Sequence, residues 1–191
     1  MRIVNILTVC IVSLILSHAN AQTEAPKGFK KGSIVLADGS PLSGFIKDNI
    51  RNSASVMFIS GADGKKKNYD GTDLNAAEIE GIKFICIKGD FFKIITEGEL
   101  NFLQKSSDAS GKVTYNGSDA IISGGTEGKP NDYFIYNQQT KTLKLVSKKN
   151  LAEVIEASFA GNTAAIDQAK TVNGDLSQLK TAVELYNNRN R

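Results

Sequence analysis

One histidine and two cysteines in 191 residues leave this sequence little with which to build the commonest catalytic and metal sites. His18 and Cys10 both fall in the N-terminal stretch, where Arg2 precedes an apolar run from Ile6 to Leu16 and then Ala19-Asn20-Ala21. A basic start, a short apolar core and a small-residue site make a secretory signal peptide, with cleavage expected after Ala21. The mature chain would then have 191 − 21 = 170 residues, no histidine and one cysteine, Cys86. Ser-His-Asp and Cys-His catalysis, His-ligated zinc and an intrachain disulfide are thereby excluded. Cys86 stands among Phe84, Ile85 and Ile87, with no basic sequence neighbour to lower its pKa, which is the setting of a structural thiol. Only Lys93, its expected cross-strand neighbour, keeps a nucleophile in view.

Other shortages narrow the choice further. No stretch after Leu16 approaches the roughly 20 apolar residues a membrane helix needs. Without Arg2 the charge balance is 22 − 20 = +2, too small to call for a nucleic-acid partner. There is no tryptophan, with nine Phe and five Tyr, which argues against a sugar-stacking cleft.

What the sequence does have is a greasy meander, FICIKGDFFKIITEGELNFLQK, from Phe84 to Lys105. Gly89-Asp90 suits a two-residue type II′ hairpin turn, which sets Ile87 opposite Phe92 and Ile85 opposite Ile94. A second turn at Glu97-Gly98 leads to the third strand. One face then carries Ile85, Ile87, Phe92, Ile94 and Leu103, and the other Phe84, Cys86, Phe91, Ile95, Leu100 and Phe102. Both faces are apolar, so the middle strand needs a cover on each side, such as a second sheet on one and helices on the other.

Around the meander lie further strand signals. Ser33 to Ala37 and Leu42 to Lys47 flank Asp38-Gly39-Ser40-Pro41, and Ser55 to Ile59 follows. Lys112 to Tyr115 and Ala120 to Ser123 flank Asn116-Gly117, and Tyr133 to Tyr136 pairs with Leu143 to Val146. Leu74 to Ile79 suits either a helical turn or a short strand. The count is about ten strands at roughly 8–12-residue spacing, the signature of an all-β sandwich or barrel. The period then changes to helical. Leu151, Val154, Ile155 and Phe159 follow Asn150 with Glu153 as a capping box, and Leu176 to Tyr186 follows Asp175 with Gln178. The expected fold is therefore mainly β with added helices (α+β): an antiparallel sandwich or barrel-like sheet with a C-terminal helical segment packed on it. The expected organisation is a signal peptide (1–21), a β domain (22–147) and that helical segment (148–191).

Chemistry-bearing clusters are few. Lys65, Lys66 and Lys67 offer a contact for an anionic glycan or lipid head group, although three charges at a solvated loop tip bind weakly. Asp70, Asp73, Asn75 and Glu78 have the oxygen ligands of a calcium site, without the alternation and mid-loop glycine of an EF-hand. The loop Gly124 to Asn131, GGTEGKPN, fails the P-loop pattern, because Ser123 replaces its first glycine and Pro130 its Ser or Thr. Asp90 and Glu99 are the acids in apolar surroundings, both expected at turns. No catalytic residue and no cofactor emerge from these patterns.

The segment G-x-I-V-x-x-D-G-x-x-L-x-G-x-I-K (Gly32 to Lys47), the later K-K-N-L-x-x-V (Lys148 to Val154) and the closing V-E-x-Y-N (Val183 to Asn187) resemble uncharacterised exported proteins of Bacteroidota. The resemblance implies a location in the periplasm, the cell envelope or the extracellular space of a Gram-negative cell. It brings no catalytic residues. The expected function is non-enzymatic binding or a structural role in the envelope, with an envelope protein or a glycan as partner. The alternative is a carboxylate-dependent hydrolase acting on an envelope or extracellular substrate.

Overall fold

Twelve strands and four α-helices follow one another along the residues described by the computed structural model, 24–61, 64–116, 118–122 and 124–189. The expected signal peptide lies outside the described residues. Seven strands come first: β1 (Lys30–Leu36), β2 (Pro41–Asn49), β3 (Ser55–Ile59), β4 (Lys67–Asp70), β5 (Leu74–Ile79), β6 (Ile82–Ile87) and β7 (Asp90–Thr96). A single helical turn, α1 (Ile50–Ser53), separates β2 from β3. Next come β8 (Leu100–Lys105), a hairpin of β9 (Val113–Asn116) and β10 (Asp119–Ile122), then β11 (Tyr133–Asn137) and β12 (Thr142–Val146). Ten of these strands form one antiparallel sheet in the order β12-β11-β8-β7-β6-β5-β1-β2-β3-β4, while β9 and β10 pair with each other.

The sheet rolls at one end. Phe91 of β7 and Tyr69 of β4 share an apolar cluster with Ile34, Ile46, Val56 and Phe84, although β7 and β4 stand far apart in the strand order. Gly71, just past β4, bridges to Gly89 in the β6–β7 turn. A Cβ on Gly71 would lie 2.1 Å from the Gly89 carbonyl oxygen, so this closure needs glycine. The rolled half is the barrel-like part of the expected fold.

The other half is a wing of β7, β8, β11 and β12 with a cover on each face. On one side lie α2 (Leu151–Ser158), α3 (Thr163–Lys170), a 3-10 turn (Leu176–Gln178) and α4 (Leu179–Asn187). Phe102, Ile135 and Val146 of the sheet pack there against Ile155, Phe159, Leu179 and Val183. The opposite face holds Phe92, Leu103, Phe134 and Tyr136, with Phe92 and Phe134 edge to face at 5.1 Å. Its cover is the segment between β10 and β11, not a second sheet: a Cβ on Gly128 would meet Phe134 at 3.0 Å and Leu145 at 3.1 Å.

The meander differs from expectation in register but not in facing. Ile85 pairs with Phe92 and Cys86 with Phe91, two residues away from the expected pairing. The turn is Lys88-Gly89, with both φ values positive at 50° and 85°, a type I′ geometry. Asp90 thereby enters β7, and Lys93 lies opposite Phe84 rather than Cys86. A slip of two leaves every side chain on its expected face, whereas a slip of one would have reversed them all. At the next turn Ile94 pairs with Leu103 and Thr96 with Phe102, a bulge at Ile95 absorbing the extra residue. Leu74 to Ile79 is a strand, β5.

Two helix starts also need correction. Asn150 does not cap α2 with its side chain. Its Oδ1 accepts from the Ser147 N–H, and its Nδ2 donates to the Leu145 carbonyl, which satisfies the end of β12 instead. Asp175 caps the 3-10 turn by accepting from the Ser177 N–H, and α4 begins only at Leu179.

Helix α4 is fastened to β8 by side-chain bonds. The Leu100 N–H donates to Asn187 Oδ1 at 3.0 Å, and Asn187 Nδ2 donates to the Leu100 carbonyl at 2.9 Å, as a neighbouring strand would. Arg189 lies over the Tyr186 ring and donates to Glu99 Oε2 at 2.6 Å. Asn187→Ala strips partners from two backbone groups and is expected to cost about 2 kcal/mol, read as a lower urea midpoint with unchanged slope.

Candidate functional site

The outer face of β2, β3 and β4, opposite the rolled core, carries polar residues at one end of the strands. Asn49 pairs directly with Ser55, and Ser55 with Asp70, so the three stand in a row across the outer face. Asn68 lies two positions before Asp70 on the same side. This polar sheet face is the floor of a groove of about 750 Å³, completed by Ser53, Thr72 and Asp73 and walled by Lys112, Val113, Tyr115 and Ile121. The side-chain amides of Asn49 and Asn68 and the Thr72 hydroxyl have no hydrogen-bond partner among the described residues.

The wall belongs to the β9–β10 arm, an excursion between the paired strands β8 and β11. Its base is zipped where the Asn131 N–H donates to the Lys105 carbonyl and the Lys105 N–H to the Asp132 carbonyl. Its limbs are held by a fully buried ion pair, Lys105 Nζ to Asp90 Oδ2 at 3.1 Å. Asp90 Oδ1 accepts from the Ala109 N–H and the Ser107 hydroxyl on the outgoing limb. Its Oδ2 accepts from the Thr126 N–H and hydroxyl, both at 2.7 Å, on the returning limb. Lys105 Nζ in turn donates to the carbonyls of Thr126 (2.8 Å), Glu127 (3.3 Å) and Gly128 (3.1 Å). Both charges are therefore saturated with hydrogen bonds, the condition under which a buried pair persists. A second clasp, Lys112, pairs with Asp70 Oδ1 and donates to the Ser53 carbonyl at 2.5 Å, tying the arm to the sheet.

These contacts settle the role of the glycine-rich loop. Three of its backbone carbonyls point at an ammonium group, so its polarity is opposite to that of a phosphate cradle, which points N–H groups inward.

The other sequence candidates are dispersed. Asp70 and Asp73 line the groove together, and the Asp70 N–H donates to Asp73 Oδ2 at 2.9 Å. Asn75 turns away and donates to the carbonyls of Leu36 and Ala37, while Glu78 lies on β5 between Ser33 and Lys83. No group of three or more His, Cys, Asp or Glu side chains comes together among the described residues. Lys65 is exposed. Lys66 sits over the Phe29 ring at 5.8 Å and Lys67 over the Tyr69 ring at 4.5 Å, so two of the three lysines rest on the protein's own aromatics. Burial pushes the half-buried Cys86 thiol well up, away from the thiolate a nucleophile requires.

Chemically, the groove offers amides, hydroxyls, one aromatic ring and two carboxylates on the same side. Asp70 ends β4 and Asp73 lies in the turn that follows, and the facing wall of Val113, Tyr115 and Ile121 has no acid. Two carboxyl groups flanking a scissile bond, as glycoside cleavage requires, are not assembled there. Sequence reasoning missed the groove residues Asn49, Asn68, Lys112 and Tyr115. Their one available signal was the arm's own hairpin, whose Val113, Tyr115, Ile121 and Ile122 are exposed.

Comparison of the chain with protein-family models, with characterised proteins and with solved structures finds no match.

Proposed function

We propose that this is an exported, non-enzymatic binding protein or interaction component of the cell envelope, and that the groove beneath the β9–β10 arm is its recognition surface. Export is supported by the basic start, apolar run and Ala19-Asn20-Ala21 site of the sequence. The binding reading rests on one observation: an open groove with unpartnered amides on its floor and an apolar wall held in place by two clasps. In the mature protein, a soluble ligand at about 100 times its Kd should raise the melting midpoint by roughly 5–10 °C. The panel is envelope glycans, divalent ions and lipid head groups, and each glycan is also assayed for cleavage. A midpoint rise without products is the expected result. Turnover of any glycan, lost in Asp70→Asn or Asp73→Asn, would establish the carboxylate hydrolase instead, which the shared groove position of these two acids alone favours.

A further inference from the structure

We propose that the groove takes a neutral saccharide, laid over the outer face of β2–β4 with one sugar ring against Tyr115; this rests on the groove being the recognition surface. Charge comes first. The lining holds two carboxylates, Asp70 and Asp73, and one cation, Lys112, which is already spent on Asp70. An anionic ligand would meet net repulsion at close range. For a metal ion the groove offers two carboxylates, and no group of three or more His, Cys, Asp or Glu comes together among the described residues.

Hydrogen bonding points the same way. Asn49 and Asn68 each present a donor and an acceptor side by side, and Thr72 adds a hydroxyl. Vicinal sugar hydroxyls, each able to donate and accept, match such a floor. An extended peptide would gain less, because peptide recognition takes its specificity from side-chain pockets and this floor offers no apolar one. The aromatic partner is Tyr115, 76% exposed at the groove wall, with Val113 and Ile121 beside it. One ring with a free face provides a platform for the C–H face of a pyranose, so the scarcity of aromatics in the sequence does not exclude stacking. At about 750 Å³ the groove falls within the range of small-ligand sites and has room for several sugar units.

The test is amide-resolved NMR of the ¹⁵N-labelled mature chain with cellotetraose, xylotetraose, mannotetraose and chitotetraose. Tetragalacturonate, inorganic phosphate and a soluble decapeptide library serve as contrasts. At least one neutral tetrasaccharide should shift the side-chain amide signals of Asn49 and Asn68. Tyr115→Ala should weaken that probe about tenfold, while Tyr115→Phe, which keeps the ring, stays within about twofold. Both variants change an exposed residue, and an unchanged spectrum away from the arm confirms their folding. Shifts caused only by phosphate, tetragalacturonate or peptides would overturn the saccharide and leave the groove as a binding site. Saccharide binding elsewhere, or unaffected by Tyr115→Ala, would also overturn it. A groove that responds to no probe would bring down both readings.

Discussion

Asp90→Ala is expected to remove about 3–5 kcal/mol of folding stability, because it leaves the Lys105 ammonium buried without its one buried counter-charge. That is a large share of the roughly 5–15 kcal/mol a domain of this kind has in total. The loss has three parts on the structure. The Lys105 charge keeps the three loop carbonyls and the distant, half-exposed Asp108 carboxylate at 4.0 Å, the Ala109 and Thr126 N–H groups lose their acceptor, and the Ser107 and Thr126 hydroxyls lose theirs. Urea unfolding measures the sum, and hydrogen exchange at Ala109 and Thr126 shows whether both limbs of the arm come loose first. Removing both charges in Asp90→Ala/Lys105→Met should cost clearly less than the two single changes added together, since neither charge is then stranded. A single-variant cost below about 1 kcal/mol, typical of a solvated ion pair, would mean that the pair is not sealed from water.

Phe102→Ala should cost a similar amount, about 3–5 kcal/mol, by a different route: lost transfer energy plus a cavity that rigid surroundings do not refill. Phe102 is fully buried, stacked on Tyr133 at 5.2 Å, and enclosed between β8 and the C-terminal helices. Its neighbour Leu103 is equally buried on the opposite face. The exposed Ile122 supplies the contrast, since Ile122→Ala should stay within about 0.5 kcal/mol. If the helices did not truly roof this face, Phe102→Ala would approach that small value, and the measured midpoint would show it.

The sequence showed the strands and the two-sided burial because both are local patterns: apolar runs bounded by turn residues in β1 to β3, apolar residues on both faces in β7 and β8, period 3.6 after Leu151. Register was less legible. Gly89-Asp90 and Lys88-Gly89 are both acceptable turn dipeptides, and the choice is made by where Asp90 finds partners, which come from residues 105 to 126. The same reason hid the clasp. Nothing near Lys105 in sequence marks it as buried, because its acceptors are backbone carbonyls that any sequence has. Asn150 illustrates the competition at helix starts: its neighbours fit a capping box, yet the open end of β12 offered it better bonds. The groove was invisible for a plainer reason, since it arises from the placement of the arm against β4, a relation between segments far apart in the chain.

The contact between Gly71 and Gly89 also bears on how this protein behaves when concentrated. An unprotected outermost strand is a template onto which a second molecule can dock and polymerise. Here that strand, β4, is only four residues long, opens with Lys67 and is bent inward at its end by the glycine bridge. Repulsion between the lysine-bearing margins of two molecules and the lack of a straight ladder both discourage fibre growth from this side. With Cys86 a free thiol among the described residues, such steric and ionic guarding is what keeps this edge of the ten-strand sheet from recruiting copies of itself.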